Sequence, residues 1–213
     1  VPPQPAVGAE VDCGSGAAAR HQQERAEELG GEPAWQVGGC VHAFLLVAGG
    51  RTICVMTTSV ARVGDRALRV ERVFDGTPER VWEVMTDPAL IPQWWGPAHH
   101  DPTVVEMDVC PGGRWRVELT GGNGTVFGFS GEYLEVVAPH RLVQTFVFDP
   151  FPDAGTTESL VLEDTGGGCT VLRVDIMHPT PEGRDQQLAS GMEQGMRATH
   201  DRLQALVAGP SRA

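Results

Sequence analysis

The sequence predicts an α+β domain over residues 66–207, an antiparallel sheet with its helices gathered on one side. Three observations carry this. From Arg66 onward, short runs alternate apolar and polar residues between clusters of Gly, Pro, Asn and Asp, the pattern of half-buried strands. Thr-Pro-Glu occurs at 77–79 and again at 180–182, where Thr can cap backbone donors and Pro fits the first helical position. Finally, Leu188, Met192, Met196, Thr199, Leu203 and Leu206 recur at spacings of four and three, the apolar stripe of a long amphipathic helix. A run of strands closed by such a helix belongs to a sheet covered on one face.

The elements follow in order. Ala67–Phe74 reads as a strand with Leu68 and Val70 on one face. A short helix starts at Thr77-Pro78-Glu79, passes Met85 and stops at Asp87-Pro88. Ala89–Trp95 forms a second short helix, limited to a turn or two by Pro92. Strands are then expected at Thr103–Val109, Arg114–Leu119, Thr125–Val137, Arg141–Asp149, Thr156–Glu163 and Cys169–Met177, a seven-stranded sheet with the first. Trp115, Val117 and Leu119 share one face, and Phe127, Phe129 and Tyr133 share another. Leu142, Phe146 and Phe148 mark the strand after them. One continuous helix is expected over Pro181–Val207, closed by Gly209-Pro210. Residues 208–213 are a tail.

Upstream, residues 1–55 cluster Pro, Gly and Ala without a sustained period, and residues 56–65 read as a linker. The chain begins with Val, and Met56 opens Met-Thr-Thr-Ser as a natural start would. The first 55 residues are therefore read as an extension contributing little to the fold, with a regulatory tail as the alternative. The apolar run Val41–Ala48 is too short to span a bilayer and lacks the basic flank of a signal peptide.

Composition excludes several functions. The formal net charge is -12, and all 16 basic residues are Arg. Without Lys there is no phosphate-binding loop of the Gly-Lys-Ser/Thr type and no lysine Schiff base. So acidic a chain is expected to avoid nucleic acid and anionic membranes. Five cysteines, with no Cys-x-x-Cys spacing, suggest neither a zinc knuckle nor a disulfide framework, so Cys110 and Cys169 are read as reduced thiols of a cytoplasmic protein. His99-His100-Asp101 lacks a third ligand at suitable spacing and reads as an exposed loop rather than a metal site. No cofactor motif occurs.

Several strings, in this order, resemble the SRPBCC superfamily, which holds START lipid-transfer domains, aromatic cyclases and birch-pollen allergens. They are Arg72-Val73-Phe74-Asp75, Val81-Trp82, Thr86-Asp87-Pro88, Trp94-Trp95-Gly96-Pro97, Pro111-Gly112-Gly113, Gly131-Glu132-Tyr133-Leu134-Glu135, Arg141-Leu142-Val143 and Gly191-Met192 with Gly195. Within it the chain is most similar to bacterial homologues of the activator of heat-shock protein 90 ATPase. The resemblance implies a helix-grip fold: a curved sheet wrapped around the C-terminal helix, with an apolar cavity between them.

The residues expected to line that cavity are Trp82, Trp94, Trp95, Trp115, Phe129, Tyr133, Phe146, Phe148, Leu188, Met192, Met196 and Thr199. By sequence alone a closed core is the more frequent explanation for the same aromatic and Met set, and the resemblance favours the cavity; Met suits either role. Trp94 and Trp95 are adjacent and cannot both face the same core; either one lines or gates the mouth, or both cover the short helices. Glu106, Arg116, Tyr133, Asp175 and Thr199 are the polar groups to consider, with Arg116 placed outside by strand parity. Gly183, Gly191 and Gly195 each cost roughly 1 kcal/mol inside a helix, which implies close approach to the sheet or a loosened helix. The expected function is binding of a small apolar or aromatic molecule. The alternatives are a cyclase-like enzyme using the same cavity, and a chaperone-interacting protein, with a homodimer as a further possible partner state.

Overall fold

The computed structural model describes residues 45–48, 51–54, 56–96 and 101–209. Two sheets are present among them. Strands β1 (Leu45–Ala48) and β2 (Arg51–Cys54) pair antiparallel as a hairpin. The second sheet has eight strands in the order β3-β4-β10-β9-β8-β7-β6-β5, every neighbouring pair antiparallel. Its strands are β3 (Thr58–Val63), β4 (Ala67–Asp75), β5 (Asp101–Met107), β6 (Arg114–Thr120), β7 (Val126–Val137), β8 (Arg141–Phe148), β9 (Thr156–Gly166) and β10 (Cys169–Met177). The expected seven strands thus become eight. The segment expected as a linker supplies the edge strand β3, which turns at Gly64 and pairs with β4 from Thr58↔Arg72 to Val63↔Ala67.

The helices all pack on one face of this sheet. Helix α1 (Pro78–Thr86) starts where Thr77 Oγ1 accepts the Arg80 amide at 3.4 Å, with Pro78 in its first turn. Helix α2 (Ile91–Trp94) is a single turn. The C-terminal stripe does not form one continuous helix. Helix α3 (Pro181–Ala189) is capped by Thr180 Oγ1, which accepts the Gly183 amide at 3.1 Å, and helix α4 (Met192–Val207) begins after a break. Gly191 stands at the break with φ 82, a left-handed conformation that nearly all other residues resist. The glycines are therefore not a means of close approach: Gly191 makes the joint, and a side chain at Gly195 would enter open space.

The core lies between sheet and helices. Leu68, Val70 and Phe74 of β4 and Leu172, Val174 and Ile176 of β10 alternate inward, meeting Val81 and Val84 of α1 and Leu203 and Val207 of α4. Burial of a side chain such as Leu203 contributes about 1.5–3 kcal/mol. On the opposite face, Arg69 pairs with Asp175 at 2.7 Å and Arg173 with Glu71 at 2.9 Å. Partly exposed cross-strand pairs of this kind add little to stability.

Cys169 does not carry a reduced thiol. It is disulfide-bonded to Cys54 across a sequence separation of 115, beside the small outer-face cluster of Val73 and Val171. The pairing was invisible in the spacing because it depends on register rather than on local sequence. It also corrects the boundary at residue 55, since the end of the segment read as an extension is covalently tied to β10. Cys110 is buried and keeps its thiol. Under oxidising conditions, removing residues 1–55 is expected to lower stability by roughly 2–5 kcal/mol through loss of the cross-link. With thiols reduced, both forms should unfold at the same temperature. A full chain insensitive to reductant would sink this assignment.

Candidate functional site

A cavity of ≈ 630 Å³ lies between the concave face of the sheet and the helices. Its walls follow from strand parity. β8 turns Leu142, Gln144 and Phe146 inward, β9 turns Glu158, Leu160 and Leu162 inward, and β10 adds Leu172 and Val174. Trp115 and Val117 come from β6, Tyr133 from β7, and Glu106 and Met107 from β5. The helical wall is Trp82, Met85 and Thr86 of α1, then Gln187, Met192, Gln194, Met196, Thr199 and His200 of α3 and α4.

Most of the expected lining residues meet here: Trp82, Trp94, Trp95, Trp115, Tyr133, Phe146, Met192, Met196 and Thr199. Three do not. Phe129 sits behind Trp95, its ring edge-on at 5.0 Å, and supports the wall rather than forming it. Phe148 stacks on Phe129 at 4.6 Å and continues outward to the exposed Phe151. Leu188 packs against the core from α3. Among the polar candidates, Glu106, Tyr133 and Thr199 face the cavity. Asp175 lies on the outer face with Arg69, and Arg116 is likewise outside, paired with Glu118 and Asp149.

Both adjacent indoles reach the cavity. The backbone leaves the helical region at Trp95 (φ -77, ψ 143), so the two side chains are not held at helical spacing. Trp94 donates its Nε1 hydrogen to the Val84 carbonyl at 3.0 Å and is buried. Arg202 of α4 fixes the same loop by donating to the Trp94 carbonyl at 2.9 Å and to that of Gly96. His99 and His100 lie outside the described residues. No group of three or more potential metal ligands occurs among the described residues.

Sequence reading missed the polar groups at the centre of the sheet. Tyr133 of β7 stands opposite Gln144 of β8, which stands opposite Glu158 of β9. Residues opposed in register share a face, so the three form one polar rung across an otherwise apolar wall. Gln144 Nε2 donates to Glu158 Oε2 at 3.0 Å. Burial pushes the Glu158 carboxyl above its ordinary value, and the bond from Gln144 offsets part of that rise. Burial also raises the Tyr133 phenol, which stays protonated. Parity with Leu160 and Leu162 was the available signal for Glu158, and parity with Leu142 and Phe146 for Gln144.

A second polar cluster closes the cavity near β3. His200 Nδ1 lies 3.2 Å from Thr58 Oγ1, which also accepts from Arg72 Nη1 at 3.1 Å. Arg72 Nη2 reaches Asp201 Oδ1 at 2.9 Å, fastening α4 to the sheet. Burial, helped by the Arg72 charge, lowers the His200 imidazole to about 4, against a smaller opposing pull from Asp201. His200 is therefore neutral at pH 7.

No helix among the described residues is long and apolar enough to cross a membrane. No functionally curated protein matches the chain. A protein from Rhodobacter sphaeroides, solved by crystallography, is 30% identical with a TM-score of 0.67, over 71% of this chain and 99% of that one. A crystal structure from Chromobacterium violaceum is 27% identical with a TM-score of 0.58, covering 68% and 99%. The AHSA1 protein from Silicibacter pomeroyi is 25% identical with a TM-score of 0.54, covering 67% and 97%. The sequence pattern described as Activator of Hsp90 ATPase homolog 1-like protein matches residues 75–208. With its eight-stranded helix-grip sheet and C-terminal helix, this chain belongs to the Activator of Hsp90 ATPase homolog 1-like family.

Proposed function

We propose that the chain binds a small, mainly apolar or aromatic molecule inside the cavity. The observation that carries the reading is the space itself. A volume of ≈ 630 Å³ is walled by indoles, Phe146, Met192 and Met196, with apolar surface predominating over polar. Small-molecule pockets commonly measure about 300–1,000 Å³ with such a lining. The cavity favours this over a chaperone-partner role, since docking on a surface needs no internal space. Chemistry on the bound molecule is the second reading, supported by the buried polar rung. In that case Glu158 would move a proton while the cavity confines a reactive substrate.

The test uses a neutral, environment-sensitive apolar dye. Wild type should take it up with saturable fluorescence. Met192→Trp or Met196→Trp enlarges a side chain on the cavity wall and should weaken uptake at least tenfold, about 1.4 kcal/mol. Stability should change little. A wild type that never takes up dye, together with a variant destabilised by roughly 1–3 kcal/mol, is the signature of an overpacked closed core and would overturn the proposal.

A further inference from the structure

The cavity's charge pattern narrows the ligand class, an inference that rests on the binding reading above. Its described lining contains two carboxyl groups, Glu106 and Glu158, and no Arg, in a chain without Lys; its two imidazoles are the buried His200, held neutral, and His140 on the exposed turn before β8. A carboxylate or phosphate ligand would therefore be desolvated against acidic side chains with neither Arg nor Lys to receive it. The polar rung is also rich in acceptors. Gln144 Nε2 is committed to Glu158 Oε2, which leaves Glu158 Oε1 without a partner among the described residues. A ligand that donates hydrogen bonds fits this position. Trp82, Trp94, Trp95 and Trp115 line the same cavity and offer broad apolar faces to a ligand skeleton.

We propose that the cavity selects lipophilic amines, seating a protonated nitrogen on Glu158 beside Gln144 and the apolar skeleton among the tryptophans. The carboxyl provides the counter-charge and Tyr133 closes the rung on the other side of Gln144. Burial disfavours an ionised Glu158 in the empty cavity, and an ammonium partner reverses that preference. No covalent step is involved.

Calorimetric titration of the full chain with one naphthyl-ethyl skeleton carrying an amine, an alcohol or a carboxylate tests the idea. The amine should bind at least about tenfold tighter than the alcohol, as one charge-assisted hydrogen bond would give, and the carboxylate should bind weakest. Glu158→Gln should erase the amine's advantage while leaving alcohol affinity within about twofold, a change too small to reflect a lost hydrogen bond. Glu106→Gln should preserve the ranking. Equal affinity for amine and alcohol, or tightest binding of the carboxylate, would overturn the selectivity, and the wild-type ranking needs no variant. Loss of the amine preference in Glu106→Gln rather than Glu158→Gln overturns its placement. If none of the three probes nor the neutral dye enters, the cavity-binding reading itself fails, an outcome separate from a wrong ranking.

Discussion

Replacing Gly131 by alanine is expected to cost roughly 3 kcal/mol or more of folding stability, at the upper end for overpacking. Gly131 sits in β7 opposite Trp115 of β6. A side chain there would overlap the Thr145 carbonyl oxygen of β8 and the Trp115 indole nitrogen. The carbonyl belongs to backbone and has no rotamer with which to escape. A glycine inside a strand often marks such a close approach. Here it lets Trp115 lie over β7 and meet Phe146 at 5.5 Å, so the same contact shapes the cavity wall. Chemical denaturation of the variant checks the prediction. Gly195→Ala is the control, because a Cβ added there meets nothing within 4 Å and alanine suits a helix interior. A Gly131→Ala protein as stable as wild type would mean that β7 and β8 are spaced differently here.

Acidification should remove about 3 kcal/mol of stability through His200 alone, since each tenfold change in proton affinity is worth about 1.4 kcal/mol. The imidazole is held at about 4 in the folded protein, chiefly by burial and next by the Arg72 charge. In the unfolded chain it titrates near its usual ~6.5. Between these values the unfolded chain binds the extra proton, so stability falls as pH is lowered. The contribution is complete above roughly pH 6.5 and is lost as pH drops toward 4. His178 is lowered too, again first by burial, and acts in the same direction. The informative quantity is therefore the difference from His200→Gln, which should unfold with a shallower pH dependence across this window. A variant with the wild-type slope would show that His200 ionises freely.

Much of the fold was legible because it depends on local pattern. The alternation in Arg114–Leu119 and the Thr-Pro-Glu caps place β6, α1 and α3 from sequence alone. The edge strand β3 was not legible. Thr-Ser-Val-Ala-Arg-Val is half polar, with Val60 as its packed apolar residue, and its pairing is set by β4. The break at Gly191 was hidden because the apolar stripe continues in register on either side of it. In the cavity, aromatic and Met residues stand out by type, whereas Gln144 and Glu158 look like ordinary exposed strand positions. Only inward parity shared with Leu142, Phe146, Leu160 and Leu162 marks them. Phe148 failed in the opposite sense: its type suits a lining, but its strand has passed the cavity by that point.

The joint at Ser190-Gly191 divides labour along the chain. Residues that hold the protein together, such as Leu68, Phe74, Ile176 and Leu203, lie on β4, β10 and the C-terminal half of α4. Residues around the joint, Gln187, Met192, Gln194 and Met196, border the cavity while remaining partly exposed or exposed. Substitutions near the joint can therefore reshape this border of the cavity while the anchoring end of α4 stays fastened through Arg72–Asp201 and Arg202. The wall of the cavity and the anchorage of the fold are thus written in different stretches of the same polypeptide.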